Sequence, residues 1–166
     1  MTLSIALLAF VTLQRLGELV LARRNTRRLL AEGAYETGQE HYPAIVLLHA
    51  CWLVGLWCVA WDKEVSLPWL AIYAALQLLR GWTLWSLGRR WTTRIIILPG
   101  ASRVSAGPYR LISHPNYVIV AAEIAVLPLT FGLPAYAIVF SILNAIILRI
   151  RIGAENAALA AAGPAT

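Results

Sequence analysis

The sequence predicts an all-α integral membrane protein of five transmembrane helices, the last two forming a hairpin, in one membrane-embedded domain over residues 1–166. Three observations predict it. Sixty per cent of the residues are hydrophobic and only 13% are charged, with a mean hydropathy of +0.69, more apolar surface than a water-soluble domain of this size can hide. The apolar residues gather in runs long enough to cross a bilayer as helices. The basic residues gather at the ends of those runs, as in a membrane protein with a positive inner side.

The first span covers 2–22. Its first half is apolar and uncharged apart from hydroxyl side chains, and its second half carries Gln14, Arg15 and Glu18. A polar segment follows from Arg23 to Glu40, opened by Arg23, Arg24, Arg27 and Arg28. The second span covers 44–61 and leads into the short loop Asp62-Lys63-Glu64. The third covers 67–87, with Gln77 and Arg80 towards its end. A long loop then carries Arg89, Arg90, Arg94, Arg103 and Arg110. From Tyr117 to Ile150 the chain is apolar but interrupted by Pro128, Gly132 and Pro134. Those breakers divide it into two spans, 117–131 and 134–150, rather than one long helix. The tail from Arg151 is expected to begin helical and to fray at its Ala-, Gly- and Pro-containing end.

Orientation follows from the arginines. The first loop, the third loop and the start of the tail are Arg-rich and the second loop is not, which places those three in the cytoplasm and the N-terminus outside. Trp57, Trp61 and Trp69 then fall near the outer interface and Trp82, Trp85 and Trp91 near the inner one, an ordinary aromatic belt.

The net charge of +6 comes from 14 basic residues, all but Lys63 arginine, against eight acidic ones. Because they sit at the ends of apolar runs, they argue against a nucleic-acid partner. Cys51 and Cys58 share a helix face but lie about 10 Å apart along it, too far for a disulfide. No metal-ligand spacing is visible. The N-terminus lacks a basic leader and a small-residue cleavage site, so the first run reads as a retained helix.

Apart from Arg149 at the end of the last span, four charged residues fall inside apolar spans: Arg15, Glu18, Arg80 and Glu123. Each costs roughly 2.5–3.5 kcal/mol at membrane depth unless paired or wetted. They either pair to hold the bundle together or line a polar cavity reaching in from the cytoplasmic side. Arg15 and Glu18, three apart, are able to pair on one helix face. His49, alone on an apolar run, reads as a satisfied core histidine. Asn144, mid-span, reads as a hydrogen bond to a neighbouring helix.

The polar residues outside the spans concentrate in two places. One is Gly107-Pro-Tyr109-Arg-Leu-Ile-Ser-His114-Pro115-Asn-Tyr117; the other is Arg151-Ile-Gly-Ala-Glu155-Asn156. Pro115 pre-sets a first helical turn, where free N–H groups suit an anionic ligand. His114 and Tyr117 therefore read either as a helix cap with interfacial rings or as part of a binding site. Arg151 and Glu155, four apart, share a helix face and form either a surface ion pair or an inward-facing pair.

These two clusters resemble the isoprenylcysteine carboxyl methyltransferase family of integral membrane enzymes. The family pattern runs Gly-x-Tyr, three residues, Arg-His-Pro-x-Tyr, a hairpin, then Arg-x-x-x-Glu-Glu. The matching positions are Gly107, Tyr109, His114, Pro115, Tyr117, Arg151 and Glu155. Ser113 stands in place of the usual Arg and Asn156 in place of the second Glu. In the first half, Gln14-Arg15-Leu-Gly-Glu18, Ala22-Arg-Arg-Asn25, Glu40-His-Tyr-Pro43 and Arg90-Trp-Thr-Thr-Arg94 are similar to a small bacterial branch that includes alkylpyrone and phenolic-lipid O-methyltransferases.

The resemblance implies S-adenosylmethionine as methyl donor, held at a cytosol-facing site by Val104, Gly107, Tyr109, His114, Pro115, Tyr117 and Asn156. No strand–GxGxxG–helix pattern for a soluble-type cofactor site is present. Arg151 and Glu155 are the expected catalytic pair, and no metal is expected. The expected acceptor is a hydroxyl or carboxylate of a lipophilic small molecule, with membrane lipids as surroundings and the bacterial inner membrane as location. Two other readings stand beside it: a phospholipid N-methyltransferase, and a non-catalytic transport or lipid-binding module.

Overall fold

The computed structural model describes residues 2–102 and 104–161. Arg103 and the expected frayed end of the tail lie outside them. Five helices carry the fold: α1 (Thr2–Ala31), α2 (Tyr42–Ala60), α3 (Leu67–Leu87), α4 (Pro115–Thr130) and α5 (Pro134–Ala161). Short 3₁₀ turns cover Gly88–Arg90 and Gly107–Arg110, and two three-residue strands, β1 (Tyr35–Thr37) and β2 (Ile95–Ile97), pair antiparallel with Glu36 opposite Ile96.

Three helices, α1, α2 and α5, are long and apolar enough to cross a membrane by length and composition. α3 has 21 residues but carries Gln77 and Arg80. α4 has 16, about 24 Å of helix. The outer surface is studded with exposed large apolar side chains, among them Leu13, Val20, Leu47, Leu78, Ile142 and Ile146, a surface suited to lipid rather than water.

α1 does not stop at residue 22. Its 30 residues rise about 45 Å, so the segment Arg23–Arg28, read above as the start of a polar loop, is helix. Arg, Leu and Ala are good helix formers in or out of lipid. Gly33 at φ +92 ends it, with Ala34 N–H bonding the Leu29 carbonyl and Gly33 N–H that of Leu30, a left-handed cap that an L side chain would resist. The α4–α5 hairpin turns by the same device at Gly132, where Leu133 N–H reaches Pro128 and Gly132 N–H reaches Leu129. α5 continues unbroken past Ile150 to Ala161, so Arg151, Glu155 and Asn156 stand on a continuous helix.

The apolar core, built around Leu8, Val11, Trp52, Leu56, Tyr73 and Leu127, joins α1 to α4. Just inside it lies a polar layer. Glu123, wholly buried, accepts from Arg15 Nη2 at 2.7 Å, Arg80 Nη1 at 2.8 Å and Gln77 Nε2 at 2.8 Å. Glu18 accepts from Arg80 Nε at 2.5 Å and also pairs with Arg80 Nη2 and Arg15 Nη1. Gln14 donates to Gln77 Oε1 at 2.7 Å. Two arginines and two glutamates thus form one network across α1, α3 and α4, wider than the Arg15–Glu18 pair that spacing offered. Asn144, buried, has no partner on its Oδ1 among the described residues, so the expected interhelical bond is not made there through that atom.

Candidate active site

The loop between α3 and α4 is pinned to α3 by a glycine. Gly107 has φ +57, and a Cβ there would stand 2.1 Å from Ser86 Oγ and 3.1 Å from Trp82 Nε1. Buried Pro108 follows and sets the 3₁₀ turn that presents Tyr109. His114 occupies the N-cap position of α4 with Pro115 in the first turn, yet its side chain makes no bond to the helix backbone. Instead Nε2 faces Asn156 Oδ1 on α5 at 3.3 Å, and the ring stacks on Tyr117 with centroids 5.3 Å apart. The side chain therefore does not cap the helix; it joins the start of α4 to α5.

Tyr117 is the hinge of the cluster. Arg151 Nε donates to its hydroxyl at 2.9 Å, and that hydroxyl donates onward to Glu155 Oε2. A second Arg151 nitrogen, Nη2, donates to the Thr93 carbonyl at 2.8 Å. Glu155 Oε2 also lies 3.8 Å from His114 Nδ1. Arg151 and Glu155 therefore communicate through a phenol rather than as a surface ion pair. Tyr109 faces the same carboxylate. Burial, with the Glu155 charge adding to it, pushes its phenol up to about 12, so it stays a neutral donor at physiological pH.

Tyr109, His114, Tyr117, Arg151 and Glu155 line a cavity of about 160 Å³, closed on its other side by β2 and by Trp91, Arg90 and Arg94. Asn156 sits beside it through His114. Val104, Gly107 and Pro115 do not line it; Gly107 and Pro115 shape the loop and helix start that do. The β1–β2 ribbon, which packs on α5, has no counterpart in the sequence reading above. Arg94 Nη1 joins its two strands with contacts of 2.8 and 2.9 Å to the two Glu36 oxygens.

A second cavity of about 380 Å³ lies deeper, between α1, α2, α4 and α5, and its lining is overwhelmingly apolar. Exposed apolar residues on its rim, Leu16, Val46, Ala50 and Val54, open it towards the lipid-facing surface between α1 and α2. Its polar members are Arg15, Glu18 and Arg80 from the buried network, Thr12, Tyr42, His49, Thr93, and the wall it shares with the smaller cavity. That wall is Trp91, Thr92, Asn116, Tyr117 and Arg151.

Trp91 was assigned above to the inner aromatic belt, and the structure corrects this. It is 3% exposed, lies under Arg80 with Cζ 5.8 Å from its ring centroid, and is fixed by Asn25 Nδ2 donating to its carbonyl at 2.8 Å. Its indole N–H and the Asn116 Oδ1 are both buried without partners among the described residues. Two orphaned polar atoms, one donor and one acceptor, thus lie on the wall between the cavities, and burying such groups unpaired is costly.

The comparison with known proteins converges on the same segment. Residues 69–161, more than half the chain, match the isoprenylcysteine carboxyl methyltransferase (ICMT) family. The chain belongs to that family. Members of the ICMT family are membrane methyltransferases, and the matched span holds Tyr109, His114, Tyr117, Arg151 and Glu155 together with Trp91 and Asn116. A Bacillus subtilis (strain 168) protein described as "Uncharacterized protein YpbQ" is 39% identical over 158 residues, covering 92% of this chain and 94% of its own. No solved structure matches the chain.

Proposed function

We propose that this ICMT-family member transfers a methyl group from S-adenosylmethionine to a hydroxyl or carboxylate of a lipophilic small molecule. In this proposal five helices span the bilayer and the site faces the cytoplasm. The carrying observation is the meeting of a small polar cavity and a large apolar cavity at one wall formed by Tyr117, Arg151, Asn116, Thr92 and Trp91. A methyl donor is polar and charged and a lipophilic acceptor is not. A wall between two such cavities is where their reactive ends come together with water excluded.

The polar cavity suits the cofactor. Glu155 is an anionic acceptor for an ammonium group, and Asn156 and Asn116 offer amide oxygens for hydroxyls. The stacked rings of His114 and Tyr117 present faces to a cation. Arg90 and Arg94 offer positive charge to a carboxylate, and the orphaned Trp91 N–H offers a donor. When bound, S-adenosylmethionine supplies a methyl on a sulfonium for in-line displacement, chemistry that requires no metal.

The chain's own residues then have separate tasks. Arg151, held at two points by Tyr117 and Thr93, presents positive charge to the acceptor oxygen and favours its anionic form. A carboxylate acceptor is already ionised at neutral pH and needs only that orientation. A hydroxyl acceptor must lose a proton. Glu155 lines only the polar cavity, so the route runs through Tyr117: its oxygen takes the acceptor proton while its own proton passes to Glu155. The bacterial-branch resemblance and the apolar character of the larger cavity favour a lipid-like hydroxyl.

The test is incubation of the purified protein with methyl-labelled cofactor and a lipid extract of its native host. Label entering the organic phase as an O-methyl product supports the proposal, and label on a phospholipid amine would replace it with N-methylation. Calorimetric cofactor binding that His114→Ala weakens places the cofactor in the polar cavity. An absence of cofactor binding would leave a transport or lipid-binding module.

A further inference from the structure

The apolar cavity has a polar end that the proposed reaction does not use. His49 lies on its wall with Nδ1 2.8 Å from the Ile45 carbonyl. A carbonyl only accepts, so Nδ1 carries the hydrogen, and in the neutral ring Nε2 is left as an acceptor. Arg15 lines the same cavity. It is the least covered of the four networked charges, with its side chain 16% exposed against 10% for Glu18, 5% for Arg80 and none for Glu123, and its Nη1 and Nη2 each give one hydrogen to the network, to Glu18 and Glu123, and keep another. A network serving only to hold helices together has no need to meet a ligand-sized cavity. Nor does a core histidine need to line one.

We infer that His49 and Arg15 form a second recognition point for the lipophilic acceptor, binding a hydroxyl distant from the oxygen that is methylated. A hydroxyl is the group that both donates to an imidazole nitrogen and accepts from a guanidinium. Its distance from the reacting oxygen follows from α2. Tyr42 marks the reaction wall, because its hydroxyl is 3.0 Å from Thr93 Oγ1 and the Thr93 carbonyl holds Arg151. His49 lies seven residues further along α2, a rise of about 10 Å. The acceptor class is therefore a long apolar molecule with two oxygen functions roughly 10 Å apart, the spacing set by that helical rise. A single-headed lipid alcohol or phenol would leave the inner end of the cavity unmatched. The inference rests on the proposed methyl-transfer reading for which end reacts, but the binding it describes is measurable without turnover.

The experiment compares two long-chain alkylphenols that differ only in a hydroxyl placed about 10 Å from the phenol oxygen, the rise between Tyr42 and His49. Binding to the detergent-solubilised protein is followed by tryptophan fluorescence and by nitrogen NMR of labelled histidines, with the His49 signals assigned by their loss in His49→Leu. The wild type should bind the dihydroxy probe roughly tenfold more tightly, the worth of about one buried hydrogen bond, and the His49 Nε2 resonance should move only with that probe. His49→Leu should bring the ratio to about one, and His49→Gln, which keeps an acceptor, should restore part of it. Equal affinities in the wild type, or a preference that survives His49→Leu, would overturn the inference. Cofactor binding by calorimetry on the same samples separates the two ideas: its absence would remove the methyl-transfer reading and leave the probe preference standing.

Discussion

Tyr117→Phe removes one oxygen from the proposed site and nothing from its shape. In the wild type that oxygen accepts from Arg151 Nε at 2.9 Å and donates to Glu155. Without it, among the described residues, Arg151 keeps its hydrogen bond to the Thr93 carbonyl, and Glu155 keeps His114 at 3.8 Å. Hydrogen bonds to charged groups are worth about 1.5–3 kcal/mol each, and losing one of them from the transition state lowers the rate roughly 10- to 150-fold. The ring still stacks on His114, so cofactor affinity should change little by comparison. The assay is single-turnover methyl transfer at saturating cofactor, with cofactor affinity measured separately. A rate within twofold of wild type would refute the relay through Tyr117. A large loss of cofactor affinity with an unchanged saturated rate would make Tyr117 a binding residue alone.

Glu155→Gln should slow transfer to a hydroxyl acceptor strongly near pH 7 and recover partly as pH approaches the acceptor's own ionisation. A flat loss at every pH, with weaker cofactor binding, would reduce Glu155 to a cofactor ligand. Glu123→Leu should destabilise the detergent-solubilised protein by about 3–5 kcal/mol, because Arg15 and Arg80 then share Glu18 alone. Adding Arg15→Leu should recover part of that loss in chemical unfolding; strict additivity would count against the network. Tyr109, held neutral up to about 12, contributes stability that is fully present below the ordinary tyrosine value near 10. That contribution is lost as pH rises through about 12. Alkaline unfolding of Tyr109→Phe should therefore be less steep than that of the wild type over this window. Leu111→Cys in a Cys51- and Cys58-free background places a thiol on a residue 79% exposed; labelling from the cytoplasmic side alone fits the proposed orientation, and labelling from outside would invert it.

Much of the scaffold is legible because lipid imposes a strong rule: an apolar run of helical length with breakers at its ends. Pro128, Gly132 and Pro134 mark the hairpin, and α2 and α3 begin and end within two residues of the apolar runs that predict them. The rule fails where helices leave lipid. Arg23–Arg28 is too polar for a span yet rich in good helix formers, and hydropathy does not separate a polar helix from a loop; the tail from Arg151, expected to begin helical, does so. The β1–β2 ribbon was hidden for another reason. Its strands are three residues long and 60 positions apart, and Ile95–Ile97 is indistinguishable by composition from a scrap of span.

The site divides in the same way. Tyr109, His114, Tyr117, Arg151 and Glu155 announce themselves as polar residues beside apolar helices, and the fold brings all five to one cavity. The route from Arg151 to Glu155 through Tyr117 was not legible, because helical spacing speaks only of neighbours on one helix. Trp91 misled because a tryptophan after a third span is most often an interfacial anchor. The neighbouring Arg90-Trp-Thr-Thr-Arg94 string was the available signal, carrying four positions on the polar cavity wall and one carbonyl that holds Arg151. His49 reads as a satisfied core histidine, and its Nδ1 bond to the Ile45 carbonyl agrees; its place on the wall of the large cavity had no signal in the sequence.

The shared wall is tested most directly by a structure of the protein with S-adenosylmethionine and a long-chain phenol both bound. The account predicts the cofactor against Glu155, His114 and Asn156 in the small cavity, the acyl chain in the large one, and the phenol oxygen beside Tyr117 and Arg151. Cofactor density on the other side of Tyr117, or a phenol oxygen away from Arg151, would contradict it.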